Sequence, residues 1–330
     1  MKKSLYLGAL ALLTLASCAS EETVEAPKGN AIDFGKAFIN NSTRGGEELT
    51  LDNLTDFNVY GYMSDFSGVL FNGQTVSKGD AGWTYLNTQY WTPNMAYAFA
   101  AITPAAGAEF TVPASGAVPT TGEFGTINYT NTGTKDLLYA TQFQAAVTPE
   151  VNTWPTVNFT FSHLLSRVMI TLNNKMTSPD GSFTVSNVKI SGGYKTGSIN
   201  FANVAEGADK AAWTVAENAE TDVYNYAMPT TDVTNKEGSN SISSDVFFFI
   251  PVSGTYTVEF DVIEKIGGVA LPVAHKKAVL TIDLQRGYSY NLVADLNEQN
   301  IPETSPKPIE FNVTKVNDWT DATDNGTVTF

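Results

Sequence analysis

Apolar and polar residues alternate with a period of two along much of the chain, which predicts half-buried β-strands. The strongest example is residues 156–174 (TVNFTFSHLLSRVMITLNN), where Phe159 and Phe161 alternate with polar residues. The alternation changes phase at residues 163–166. Because a shift of one residue reverses the faces of a strand, we predict a bulge or a tight turn there. We interpret the whole stretch as the first strand of a second domain.

Similar short segments lie on both sides of this stretch, at the spacing typical of antiparallel β-sandwiches rather than βαβ units. Residues 95–101 carry large side chains on one face and alanines on the other, which predicts close approach of another layer. The glycine-containing pairs at 72–73 and 192–193 are interpreted as turns. Beyond the N-terminus we find no sustained helical period. The sequence therefore predicts an all-β protein with two tandem antiparallel β-sandwich domains, residues 31–155 and 156–330.

Composition and charge narrow the function classes. A length of 330 residues agrees with two domains. The net charge of −15 argues against nucleic acid as a partner, because phosphate binding needs clustered Lys and Arg. The acidity fits solubility and repulsion between copies instead. The single cysteine, Cys18, excludes a disulfide within the chain and a thiolate metal cluster.

The N-terminus has the features of an export signal. A basic start is followed by an apolar segment too short to span a bilayer, and residues 15–18 (LASC) match the bacterial lipobox. We predict a lipoprotein signal peptide at 1–17, a lipid on Cys18 and a flexible tether at 18–30. The lipid would make the outer membrane a partner and place a surface-exposed precursor there. The alternative is an ordinary signal peptide with a chance cysteine.

A short β segment at 31–40 precedes a polar loop, 41–46, that ends in two glycines and contains Arg44. Such loops are preferred sites of proteolysis. Cleavage between Arg44 and Gly45 would release the lipid, the tether and the strand together, leaving a groove open to strand addition. The alternative is a plain connecting loop.

The C-terminal tail also contains a short β segment next to an irregular connecting segment. An amphipathic strand at 309–316 follows a proline-broken linker. It either completes the chain's own sheet or is offered to a neighbour, and both readings stay open at this stage.

No constellation for enzyme chemistry emerges. We expect His163 to be a structural histidine of the core or of a turn, and His275 to be exposed. The chain contains neither a nucleophile elbow nor a phosphate-binding glycine loop. The aspartates within 318–324 miss the spacing of a calcium loop. We predict a non-enzyme with no catalytic residues, no cofactor and no metal. A glycan-binding surface lipoprotein is an alternative, in which three tryptophans would be sugar platforms: Trp83, Trp91 and Trp154.

Several motifs together resemble the fimbrillin family, the Mfa-like subunits of type V pili of Bacteroidetes-type bacteria. They are the lipobox at Cys18, the TRG site at 43–45, FNVYGY (57–62), YWTP (90–93), YAFAA (97–101), FTFSHLLSRV (159–168) and GYSYNL (287–292). The F-x-F-x-H-x-L-x-x-V segment is the most specific of them.

The resemblance implies two transthyretin-like β-sandwich domains, export as a lipoprotein and cleavage after an arginine by a surface protease. Strand exchange then polymerises the subunits into adhesive fimbriae. Carried onto this chain, Cys18 is the lipid site, the Arg44–Gly45 bond is cut, residues 31–44 are removed and the tail from about 309 is the candidate donor. The implied partners are other pilus subunits, an Arg-specific protease, and host surface proteins or glycans. The family also includes tip and anchor subunits that are not cleaved or not extended, which remain an alternative.

Overall fold

The computed structural model describes residues 29–39, 54–64, 69–80, 82–103, 107–111, 119, 121–146, 148, 154–201, 211–317 and 327–328. Strands and loops make up these ranges, which confirms the predicted all-β class. None of these ranges contains a helix long and apolar enough to cross a bilayer.

The strands fall in three groups along the chain. The first group is β1 (Phe34–Ile39), β2 (Asp56–Met63), β3 (Phe71–Gly79), β4 (Gly82–Tyr85), β5 (Tyr97–Thr103), β6 (Ala108–Thr111), β7 (Thr126–Thr130), β8 (Leu138–Gln144) and β9 (Val157–His163). The second is β10 (Ser166–Asn174), β11 (Ser182–Tyr194), β12 (Thr196–Asn200), β13 (Trp213–Thr214), β14 (Thr221–Asn225), β15 (Val233–Thr234), β16 (Ser241–Ser243) and β17 (Phe247–Phe249). The third is β18 (Ser253–Ile266), β19 (Val269–Ala270), β20 (Ala274–Asp283), β21 (Tyr288–Leu296), β22 (Phe311–Asn317) and β23 (Thr327–Val328).

The first half of the chain forms a seven-stranded sheet in the order β1-β9-β8-β5-β2-β3-β4. Its pairs are antiparallel except β1 with β9, which is parallel. The two edges of the sheet approach each other, because Ile32 N donates to Gln89 O at 2.8 Å and Trp91 N to Asn30 O at 2.8 Å. The enclosed face is packed with aromatic side chains.

The prediction that residues 156–174 open the second domain is wrong for the first part of the stretch. Strand β9 pairs with β1 and β8 in the seven-stranded sheet, whereas β10 pairs with β16, β17 and β21 in another sheet. The phase change at 163–166 marks this passage, with Leu164 and Leu165 both fully buried between the two strands. The alternation reversed because the chain changes sheets, and not because one strand contains a bulge.

The second half forms a sandwich around its own core. One layer is β16-β10-β21-β22-β23, and the other contains β14, β11, β18 and β20. The core lies between them, with Leu292 and Val258 fully buried on facing layers.

A four-stranded sheet, β13-β12-β7-β6, takes two strands from each half of the chain. It packs against the alanine face of β5, where Ala98 and Ala100 are fully buried. This confirms that the alanine face admits another layer, because small side chains let the two backbones approach. The sharing of this sheet between the halves was not predicted.

The two glycine pairs interpreted as turns lie inside strands, so that interpretation is wrong. Gly73 has φ +72° within β3, where the register to β2 shifts by one residue. Gly192 has φ +107° within β11, where the register to β14 shifts likewise. Both are β-bulges, in which glycine supplies a positive φ without turning the chain back.

Asn131 joins the halves through its side chain. Its amide nitrogen donates to Phe248 O at 2.8 Å and to Tyr224 Oη at 3.1 Å, and its amide oxygen accepts from Gly133 N at 3.0 Å. The side chain is buried. Burial also raises the pKa of Tyr224 to about 12, so its hydroxyl stays neutral at physiological pH.

We expect Asn131→Ala to lower the free energy of unfolding by about 2–3 kcal/mol, because the Phe248 carbonyl and the Gly133 amide lose a buried partner. Urea denaturation followed by tryptophan fluorescence measures this loss. Asn128→Ala, at an exposed position on β7, is the matched control. An equal, small change in both variants would contradict the role of Asn131 at the junction.

Candidate functional site

Strand β1 is the element that the sequence analysis predicted to be removable. Among the strands that the structure describes, it is an edge strand whose one partner is β9, in the register Phe34↔Val157 and Ile39↔Phe161. A bulge separates the two ends of this pairing, and Lys36 N donates to Asn158 Oδ1 at 2.8 Å there. A Cβ on Gly35 would lie 2.5 Å from that same oxygen, so a larger residue fits here only if the Asn158 side chain shifts.

The inward side chains of β1, together with Ile32 just ahead of it, complete the core of the seven-stranded sheet. Ile32 is fully buried, Phe34 is 5% exposed and Ile39 is 8% exposed. Burying three such side chains contributes about 5–9 kcal/mol in total. The strand is therefore a large part of the stability of this sheet.

Phe34 lies at the centre of a cluster of aromatic rings, and the space that its ring fills is here called the Phe34 pocket. Five ring centroids lie within contact distance of its own: Tyr85 (5.3 Å), Phe71 (5.7 Å), Phe159 (6.0 Å), Phe57 (6.2 Å) and Phe99 (6.5 Å). These rings come from five different strands. Without Phe34 the sheet would hold a cavity lined by aromatic faces and edges.

Hydrogen bonds hold the segment just ahead of β1 in place. Tyr85 Oη donates to Ile32 O at 2.8 Å, and Val157 N donates to Asp33 O at 2.9 Å. Burial raises the pKa of Tyr85, while the backbone of Gln89 opposes that shift. The role of Tyr85 was not predicted, because nothing in its local sequence separates it from its neighbours Trp83 and Tyr90.

No strand within the described ranges pairs with the outward side of β1. Phe38 is 45% exposed, and Lys36 is also exposed. An edge strand held from one side only can be exchanged without breaking the rest of its sheet.

The tail strand β22 pairs antiparallel with β21, in the register Phe311↔Ala294 to Asn317↔Tyr288. Ile309 is 6% exposed, Val313 is 4% exposed and Phe311 is half-buried. Lys315 Nζ lies 4.3 Å from the ring centroid of Tyr288, and burial lowers its pKa while Asp283 opposes that shift. In this structure the tail completes the chain's own sheet.

The other predicted residues fall in different places. Cys18, Arg44 and Gly45 lie outside the described residues, as does the aspartate group within 318–324. His163 is buried, with Nδ1 2.7 Å from Asp136 Oδ2. His275 is exposed on β20, with Nδ1 2.5 Å from Asp261 Oδ1. Both histidines therefore occupy the environments predicted for them.

The tryptophans give little support to a sugar platform. Trp91 is 2% exposed and stands edge-on to Tyr97, while Trp83 and Trp154 are half-buried against the core of the seven-stranded sheet. Within the described ranges, no group of three His, Cys, Asp or Glu side chains is placed to hold a metal ion.

Comparison with known proteins gives the fold and the family. A fimbrial protein from Bacteroides vulgatus is 14% identical, with a TM-score of 0.60 over 88% of this chain and 100% of that one. The fimbrial anchor protein Mfa2 from Porphyromonas gingivalis is 13% identical, with a TM-score of 0.35 over 86% of this chain and 96% of that one. No curated protein sequence matches. The sequence model of the fimbrillin-like family matches residues 43–319. The chain therefore belongs to the fimbrillin-like family of cell-surface fimbrial and adhesion proteins.

Proposed function

We propose that this protein is a structural subunit of surface fimbriae that is exported as a lipoprotein with its lipid on Cys18. A protease cuts between Arg44 and Gly45, and the cut subunit polymerises by strand exchange in support of adhesion. One observation carries the proposal: β1 is an edge strand that fills the Phe34 pocket, and it connects to β2 only through the segment that contains Arg44.

The tail has a sequence that matches the strand it would replace. Residues 31–40 read AIDFGKAFIN and residues 308–317 read PIEFNVTKVN. In this alignment Ile309 takes the place of Ile32, Phe311 that of Phe34 and Val316 that of Ile39. A tail from another copy would therefore present an aromatic ring to the Phe34 pocket at the same spacing.

The direction of the two strands also agrees. Strand β22 starts next to the end of β21 that lies far from the junction between the halves, because Phe311 pairs with Ala294. Strand β1 likewise starts at the far end of its sheet, because Phe34 pairs with Val157. A tail that swings out from residue 308 would thus enter the groove of a second copy from the correct end and run parallel to β9, as β1 does.

Cleavage by itself does not empty the groove, since the buried side chains of β1 still hold it. What changes is the effective concentration of the strand. While it is covalently linked, β1 rebinds faster than a competitor, and once cut it loses this advantage over a separate strand. Exchange then depends on detachment of a tail from β21 in the donor copy.

Limited digestion of residues 19–330 with an Arg-specific protease tests the cleavage step. We expect one early cut, with the intact mass falling by the mass of residues 19–44. Arg44→Lys keeps the charge and resists this protease, so it is the matched control. Early cleavage elsewhere, or none in the native chain under conditions that leave the fold intact, would refute this step.

A second candidate is a terminal subunit, either an anchor or a tip adhesin, that is never extended. The pairing of β22 with β21 in the same chain favours it, because a self-completed tail is not available for donation. Such a subunit would resist cleavage at Arg44 or would stay monomeric after it.

A further inference from the structure

A β-hairpin in the second half carries an exposed apolar end, here called the hairpin tip (residues 266–273). Its four large side chains are all exposed: Ile266 (42%), Val269 (65%), Leu271 (39%) and Val273 (44%). Gly267 and Gly268, with φ +57° and +81°, form the tight turn. The sequence carries no charge between Lys265 and His275. The pairing of β18 with β11 ends at Lys265, which lies opposite Ser182. The hairpin tip therefore extends beyond the end of β11.

A second exposed apolar surface lies beside the start of β1, here called the Leu86 patch. It consists of Leu86, which is 77% exposed, and Tyr90, which is 37% exposed. Tyr90 forms a β-bridge with Ala31, three residues ahead of β1. The sequence from Ala81 to Ala108 also lacks charged residues.

The hairpin tip lies far from the junction between the halves. Strand β18 starts at Ser253, which pairs with Asp283 close to the ion pair between Arg286 and Glu123 that joins the halves. Its 14 residues span roughly 40 Å at about 3.3 Å per residue. Tyr90 is remote from the junction on the other side, because Ala31 precedes the Phe34↔Val157 end of the β1–β9 pair.

We propose that the hairpin tip of one copy docks on the Leu86 patch of the next copy. This inference rests on the proposed polymer and names a second contact beside the exchanged strand. A contact between two different surfaces of one chain is head-to-tail, so it can repeat from one copy to the next. Copies that each carry −15 charges repel, and neither the segment of the hairpin tip nor the segment around the Leu86 patch adds a charge of its own to the contact.

The contact works together with strand exchange. The tip is too small for a stable interface alone, which needs about 800 Å² per partner. It lies at the same end of the second half as residue 308, from which the tail leaves, since His275 N donates to Glu303 Oε2 at 2.6 Å. The Leu86 patch flanks the start of the receiving groove. Docking therefore holds the detached tail of one copy at the groove entrance of another.

Cross-linking between two single-cysteine variants tests the proposal. Residues 19–330 contain no cysteine, so Val269→Cys in one preparation and Leu86→Cys in another give one thiol per chain. The two are mixed, oxidised and separated without reductant, before and after Arg-specific cleavage. Val223→Cys replaces Val269→Cys in the control, because Val223 is 48% exposed on a different strand.

We expect the Val269–Leu86 mixture to give at least tenfold more heterodimer than the Val223–Leu86 mixture, with the largest yield after cleavage. Equal yields in the two mixtures would overturn the docking contact, even if cleaved native protein polymerises. Selective cross-linking without polymers would support the contact and count against strand exchange. The two claims therefore fail separately.

Discussion

Replacing Phe34 with alanine is expected to lower the free energy of unfolding of the uncleaved protein by about 3–5 kcal/mol, the range for a buried phenylalanine. The ring is 5% exposed and contacts rings from five strands, so the cavity left behind cannot close by the movement of one neighbour. Urea denaturation followed by tryptophan fluorescence measures the change.

Phe38→Ala is the matched control for this prediction. It removes the same side chain from the same strand, but at a position that is 45% exposed. We expect it to cost less than about 1 kcal/mol, since surface changes usually do. If both variants lose the same stability, the outward and inward faces of β1 have been assigned incorrectly.

Replacing Phe311 with alanine is expected to reduce polymer formation by cleaved protein about 100-fold or more. In the proposed polymer this ring fills the Phe34 pocket, so its loss costs about 3–5 kcal/mol per contact. Within its own chain Phe311 is only half-buried and meets Phe260 edge-on at 6.5 Å between centroids. The monomer should therefore lose much less stability than the polymer.

A subunit in the polymer both donates its own tail and accepts the tail of another copy. Mixing the Phe311→Ala variant with native protein separates these two roles. We expect it to accept a native tail normally and to fail only as a donor, so it caps chains of native subunits. Glu310→Gln, one residue away and exposed, should polymerise like the native chain. A variant that polymerises normally would show that another segment fills the Phe34 pocket.

The sequence alone was sufficient for the class of fold and for the positions of several strands. Alternation over 156–174 correctly predicted β structure there, because side-chain burial in a sheet follows the period of two, but it was interpreted as one strand where the structure has β9 and β10. The alanine face of β5 predicted a close layer for the same local reason. The β segment predicted at 31–40 contains strand β1.

Features that depend on pairing between distant segments did not follow from local patterns. Both β9 and β10 alternate regularly, and nothing in either sequence states that they belong to different sheets. Gly73 and Gly192 have the positive φ expected of a turn, but bulges use the same backbone conformation. The parallel pairing of β1 with β9 was also not predictable from either strand alone. The same holds for the Phe34 pocket, because its rings come from five strands whose contacts no single segment encodes.

The measurement that tests the central claim most directly is the assembly state of cleaved residues 19–330 on a gel run without boiling. The account predicts a ladder of heat-sensitive polymers that appears only after cleavage at Arg44, is absent for Arg44→Lys and is capped by Phe311→Ala. A single monomer band after complete cleavage at Arg44 would contradict strand exchange between copies and favour a terminal subunit.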